Sequence, residues 1–120
     1  DASTRGRGFA VSGGVAKAVE EVIHSLDPQA EVKTARAESL PECRKLLAMA
    51  KAGKYNGYLL EGMACPGGCV AGAGVIVPAK KAAAAVEKAA QSAKDKSALD
   101  SAYLEYLSIL EDESWEEDVK

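Results

Sequence analysis

Two thiols four positions apart, Cys65 and Cys69, sit in the run Glu61-Gly62-Met63-Ala64-Cys65-Pro66-Gly67-Gly68-Cys69-Val70-Ala71-Gly72-Ala73-Gly74. Thiolate is the form that ligates soft metals, and a glycine-rich backbone can approach a bulky ligand closely. The segment therefore predicts a metal-cluster cradle, with Cys65 and Cys69 as ligands and the amides of Gly67 and Gly68 stabilising their charge. An iron–sulfur cluster as a rule takes four thiolates, and this loop offers two. Zinc sites mostly want a second pair of ligands as well, and His24 is the only histidine. A dithiol redox pair needs no metal, but such motifs usually carry two intervening residues rather than three.

The other chemistry-bearing residues read more plainly. Cys43 falls on the apolar face of a helix and is expected as a small core residue rather than a third ligand. Met63 and Cys65 share one side of a strand by alternation; on spacing alone Met63 is core packing. Glu61, the lone charge near that strand's end, either meets a basic group from a neighbouring segment or reaches solvent. Ser12-Gly13-Gly14 lacks the lysine and spacing of a phosphate loop, and Gly72-Ala73-Gly74 lacks the dinucleotide pattern. Gly13 and Gly14 are read as a turn that sits close to something bulky. His24 lies on a charged helix face and is expected in solvent.

These residues need a scaffold. At 120 residues and 48% hydrophobic content the chain can hold one core, and with aromatics at 5% that core is expected to be filled by alanine. The net charge of −3 and a pI near 5.2 argue against a nucleic-acid surface. No apolar stretch approaches the roughly 20 residues that cross a bilayer, and no signal-peptide pattern is present. Three cysteines, two of them close together, do not make a secreted disulfide framework, so a reducing cytoplasm is expected. The start at Asp1, followed by a polar run to Gly8, reads as a cut inside a longer protein.

The expected fold class is α/β: a β-α-β-α-β parallel sheet with flanking helices and two C-terminal helices. Its first strand is Gly8 to Val11. A helix with Val15, Val19, Val22, Ile23 and Leu26 on its apolar face follows and ends at Asp27-Pro28. A second strand is read from Glu31 to Arg36. Ser39 and Glu42 form a capping box for a helix that places Leu40, Cys43, Leu47 and Ala50 on one face, with Gly53 as its C-terminal cap. Tyr58 to Met63 is a covered parallel strand, and the cysteine loop lies at its carboxyl end, where open α/β sheets bind ligands. Ala79 to Lys94 is an alanine-lysine helix. Ser97 to Leu110 is another, with Leu99, Tyr103, Tyr106 and Leu110 as its buried stripe. An acidic tail containing Trp115 closes the chain.

The run from Glu61 to Gly74 closely resembles the third signature of the iron–iron (FeFe) hydrogenases, which lines their active-site H-cluster. Phe9-Ala10-Val11-Ser12-Gly13-Gly14-Val15 resembles the same family's strand–Thr-Gly-Gly-Val–helix segment, with Ser12 where threonine is usual. The likeness covers roughly residues 8–78. It implies that Cys65 holds one iron of the 4Fe–4S subcluster. Cys69 is implied to hold another and to bridge to the two-iron subsite, with Met63 packed beside that subsite. The implied reaction is reversible reduction of protons to H₂, with an electron donor such as ferredoxin.

The chain departs from the family in two ways. Where the family continues Gly-Gly-Gly-Gln-Pro, it has Gly72-Ala73-Gly74-Val75-Ile76-Val77-Pro78. The first and second signatures, which supply the other two cubane thiolates and a proton-relay cysteine, are absent from it. The chain is therefore expected to be a single domain equivalent to the C-terminal part of a hydrogenase catalytic domain. Residues 8–78 would form the cluster-loop part, 79–111 a helical extension and 112–120 the acidic tail. Alone it is expected to hold no intact cluster, to be inactive and to self-associate. Two alternatives stand beside this reading: a hydrogenase-like iron–sulfur assembly or sensory module, and a thiol redox domain.

Overall fold

The computed structural model describes residues 2–107; Leu110, Trp115 and the acidic tail lie outside them. α1 (Thr4–Arg7) is one turn, followed by a 3-10 turn at Gly8–Ala10 and by α2 (Gly14–Leu26). Then come β1 (Lys33–Glu38), α3 (Leu40–Lys51), β2 (Tyr58–Met63) and a 3-10 turn at Cys69–Ala71. α4 (Ala79–Gln91) and two 3-10 turns, Ala98–Asp100 and Ala102–Tyr106, complete it.

The α/β class holds. β1 and β2 pair in parallel, with Lys33 opposite Tyr58 through to Glu38 opposite Met63, and α3 forms the crossover that a parallel pair requires. The sheet has two strands among the described residues, because Gly8 to Val11 does not extend as expected. The Val11 amide donates back to the Gly8 carbonyl at 3.1 Å and the Gly14 amide to the Val11 carbonyl at 3.0 Å. Two consecutive turns fold the segment on itself, so no ladder can form. The polar run before it is ordered as well. The Thr4 amide donates to the Asp95 carbonyl at 2.8 Å, and the Arg7 guanidinium to the Ala89 carbonyl at 3.0 Å. α1 is thereby tied to the far end of α4.

α3 starts as the capping box predicts, with one change. The Ser39 hydroxyl accepts from the Glu42 amide at 3.4 Å, but the Glu42 carboxylate accepts from the Glu38 amide at 3.0 Å. The Ser39 amide is already donated to the Met63 carbonyl at 2.8 Å. At the other end the Gly53 amide donates to the Ala50 carbonyl.

The buried positions are Ala16, Ala18, Ala37, Leu46, Val70, Ala90 and Ala93. Alanine is the filler, as composition predicts, and it lets backbones approach closely. The faces differ from those expected. On α2 the alanines are buried while Leu26 is 74% exposed, and on α3 Leu46 is buried while Leu40 and Leu47 are exposed. Over the described part of the second C-terminal helix, 3-10 turns stand in its place, and Leu99, Tyr103 and Tyr106 are exposed rather than forming a buried stripe. Ser97 and Ser101 accept from the Leu99 and Tyr103 amides. Such local serine caps compete with a continuous helix.

Candidate metal-cluster site

β2 carries Met63 to the end of the sheet, and the chain then turns. The Gly68 amide donates to the Cys65 carbonyl at 2.9 Å, closing a turn over Pro66 and Gly67. Cys69 opens the 3-10 turn that follows, and buried Val70 anchors it. Cys65 is half-buried and Cys69 exposed, and both thiols are free. The structure thus places both sequence-predicted ligands on one short loop at the carboxyl end of a parallel strand.

Two neighbours hold that loop. The Ser12 amide donates to the Gly67 carbonyl at 3.1 Å, and the Gly67 amide donates to Glu38 Oε2 at 2.9 Å. Gly67, at the loop's tip, is gripped through the peptides on both of its sides, Pro66–Gly67 by Glu38 and Gly67–Gly68 by Ser12. Gly68 lies hard against the same turn: a Cβ built on it would sit 2.6 Å from the Ala10 carbonyl oxygen and the Ser12 nitrogen. Sequence reasoning expected the Gly67 and Gly68 amides to face the thiolates. In the structure they bond Glu38 and the Cys65 carbonyl instead. Space at the thiols comes from Gly72, where a Cβ would press on the Cys69 carbonyl at 3.1 Å and touch Cys65 Sγ at 3.5 Å.

Glu38 is the site residue that the sequence reading missed. The Ser12 hydroxyl and then the Gly67 amide hold its carboxyl below the ordinary carboxylate value, with Arg36 adding to them against desolvation. Only the Gly67 contact meets hydrogen-bond geometry, so it is the one that fixes the side chain. Ser39, the next residue, has φ +111°, the only non-glycine positive φ among the described residues. It turns the chain sharply at the end of β1.

Glu61 meets neither of its expected fates. It is 7% exposed, and its Oε2 accepts from the Ala16 amide at 3.4 Å. Ala16 lies in the first turn of α2, where the positive end of the helix favours a carboxylate. Glu61 Oε1 has no partner among the described residues. Cys43 behaves as a core thiol, half-buried, with Sγ 3.7 Å from the Ala37 carbonyl and 3.6 Å from that of Met63. His24 is exposed, as expected.

Gly13 and Gly14 begin α2 beside the loop, and they line a cleft of about 250 Å³ with Arg5, Lys17 and Arg36. That cleft's lining includes neither cysteine. Gly14 is packed against the Gly8 backbone, so the bulky neighbour nearest to it is the chain's own turn. Met63 lines a separate apolar cleft with Val15, Val19 and Leu59.

Among the described residues no cluster of three or more His, Cys, Asp or Glu side chains could hold a metal ion. Cys65 and Cys69 are two soft thiol donors, half the number that an iron–sulfur cubane takes, and Gly72 places no Cβ against Cys65 Sγ.

Fold and site together define an α/β protein that presents a two-cysteine loop at the carboxyl end of a parallel strand. Residues 1–73 match the family described as iron only hydrogenase large subunit, C-terminal domain, and the chain belongs to that family. Comparison with curated proteins and with solved structures gave no match. The family match ends just before the apolar run Val75-Ile76-Val77, where the signature departs from the family's usual sequence. It takes in both the Ser12-Gly13-Gly14 turn and the cysteine loop.

Proposed function

We propose that this chain is the part of an iron-only hydrogenase catalytic domain that supplies Cys65 and Cys69 as two of the four thiolates of a 4Fe–4S subcluster. The whole protein would reduce protons reversibly to H₂. The observation that carries this reading is the pair of free thiols on one loop whose tip residue, Gly67, is held between the Ser12 amide and the Glu38 carboxylate. When bound, the cluster would pass electrons to and from a two-iron subsite.

The chain's own residues would prepare the site. Cys65 and Cys69 hold iron, and Cys69, the more exposed of the two, also faces the two-iron subsite. Met63 packs beside that subsite. Gly67 and Gly68 seat the loop on the turn that Gly13 and Gly14 continue into α2, so these glycines contribute shape rather than ligand atoms. The remaining two thiolates come from the rest of the catalytic domain, which is the chain's first partner. An electron donor of the ferredoxin type is the second, in a reducing cytoplasm. No helix among the described residues is long and apolar enough to cross a membrane. Without its partner the chain self-associates through its exposed apolar side chains.

The test is reconstitution of the chain with the polypeptide carrying the other two cysteine signatures, plus iron, sulfide and a two-iron precursor. H₂ evolution accompanied by carbonyl and cyanide infrared bands is expected. Absence of both would sink the proposal. A second reading, a cluster-binding assembly or sensory module, is favoured by one observation. The run Val75-Ile76-Val77, which replaces the family's glutamine region, offers no polar side chain to the site. Cluster uptake with no turnover would select that reading.

A further inference from the structure

We infer that Glu38 is a positioning residue for the cysteine loop: its carboxylate fixes the Gly67 peptide, and thereby the setting of Cys65 and Cys69, and places a negative charge beside whatever the two thiols hold. The second half of this inference rests on the cluster reading above.

Three independent features support it. The contact is direct, 2.9 Å from the Gly67 amide to Glu38 Oε2, and it spans 29 positions of sequence. Gly67 lies two residues from each cysteine, so a change in its peptide plane moves both thiols. The chain also accepts strain at this corner. Ser39 holds φ +111°, a strained conformation that persists only where its surroundings over-determine it. Here the Ser39 amide is held by the Met63 carbonyl at 2.8 Å and the Glu38 amide by Glu42 at 3.0 Å. The strained corner therefore sets the end of β1 against the end of β2, where Glu38 meets the loop.

The next peptide, Gly67–Gly68, is held through its carbonyl by the Ser12 backbone amide. A side chain at position 12 could vary without loosening that grip, whereas the Glu38 contact depends on the side chain itself. A carboxylate also differs from a neutral acceptor in one measurable way. A cluster gains negative charge on reduction, so a nearby carboxylate disfavours the reduced form and lowers the potential.

The test compares Glu38→Gln, which keeps an acceptor oxygen but loses the charge, with Glu38→Ala, which loses both. In the full chain, hydrogen exchange at the Gly67 amide is expected to accelerate about tenfold or more in Glu38→Ala, the loss of one charge-assisted hydrogen bond. Exchange should change far less in Glu38→Gln, and the Leu46 amide in α3 serves as an unchanged reference. In the reconstituted complex, Glu38→Gln is expected to raise the cluster's midpoint potential at unaltered iron content. Unchanged Gly67 exchange in Glu38→Ala would overturn the positioning role, and an unchanged potential in Glu38→Gln would overturn the electrostatic one. Failure of the wild-type complex to take up iron would overturn the cluster assignment instead, and the exchange comparison would still decide the role of Glu38.

Discussion

Gly68 combines two demands, a φ of +95° and a backbone neighbour where a side chain would be. Gly74 shares the first, with φ +91°, but has open space around it. The pair separates conformational strain from lost contact. Gly74→Ala should cost about 1–2 kcal/mol, the usual penalty of a left-handed conformation. Gly68→Ala should cost about 3 kcal/mol or more, because the new methyl must also push the cysteine loop off the Ala10 to Ser12 turn. Urea unfolding of the two variants measures the difference, and equal costs would mean that the turn does not seat the loop. Glu38 supplies a second prediction at this scale. Its carboxyl is held below the ordinary value of 4.5, first by the Ser12 hydroxyl and then by the Gly67 amide. A depressed carboxyl stabilises the fold fully above its unfolded value and loses that contribution as pH falls through its folded one. The stability advantage of wild type over Glu38→Gln should therefore be constant near neutral pH and disappear as pH falls below 4.5, as read by urea unfolding across that range. The cysteine loop at the end of β2 was legible in the sequence because strand and turn signals are local. Glu38 was not, because its partner lies far along the chain and no pattern in Arg36-Ala37-Glu38 points to it.

At the scale of elements, Ser39 is under opposing pressures. Its hydroxyl caps α3, and its backbone occupies a region that favours glycine. Removing an N-cap serine costs about 1 kcal/mol with alanine but only a few tenths with glycine. Glycine also relieves strain of order 1–3 kcal/mol at a positive φ. Ser39→Gly should therefore match or exceed wild type in stability, while Ser39→Ala should fall about 1 kcal/mol below it. Chemical denaturation of the three proteins checks the order, and a stable Ser39→Ala paired with an unstable Ser39→Gly would contradict it. The Ser39 cap was readable, as were α3, β2 and the start of α2, since each is set by neighbouring residues. The expected strand at Gly8–Val11 failed for a reason of longer range. Four apolar or small residues are compatible with a strand, but a strand also needs an adjacent ladder. Here the segment bends back on Gly8 to make room for Gly14. In the C-terminal extension the helix read from Ala79 is present as α4, while the one read from Ser97 gives way to 3-10 turns over the described residues. The apolar spacing from Ser97 onwards suits a helix, yet Ser97 and Ser101 cap the chain twice within a few residues, and Leu99, Tyr103 and Tyr106 stay exposed.

For the whole molecule, the decisive quantity is how little is fully enclosed. No side chain of the described residues falls below 2% exposure, and Leu26, Leu40, Leu47 and Ile76 are each more than 60% exposed. The radius of gyration is 16.6 Å, against about 13 Å for a compact domain of about 100 residues. Alanine filling brings α2, α3 and the two strands together, but a two-stranded sheet gives them too small a surface to bury their larger side chains. This explains why helical periodicity located the helices and misjudged their faces: spacing reports which residues share a side, and the number of strands decides which side is covered. Exposed apolar faces of this kind mark sites of association. Leu40 and Leu47 are seven positions apart on α3, hence on one face, and 71% and 63% exposed. Sedimentation of the isolated chain should show concentration-dependent association. The double variant Leu40→Glu, Leu47→Glu should weaken it while changing stability by no more than about 0.5 kcal/mol each, as for other exposed sites. Adding the polypeptide with the other two cysteine signatures should displace self-association in the wild type, if the same faces serve both contacts. A wild-type chain that stays monomeric at high concentration would mean that these leucines cover nothing, and the partner would then have to dock through the cysteine loop alone.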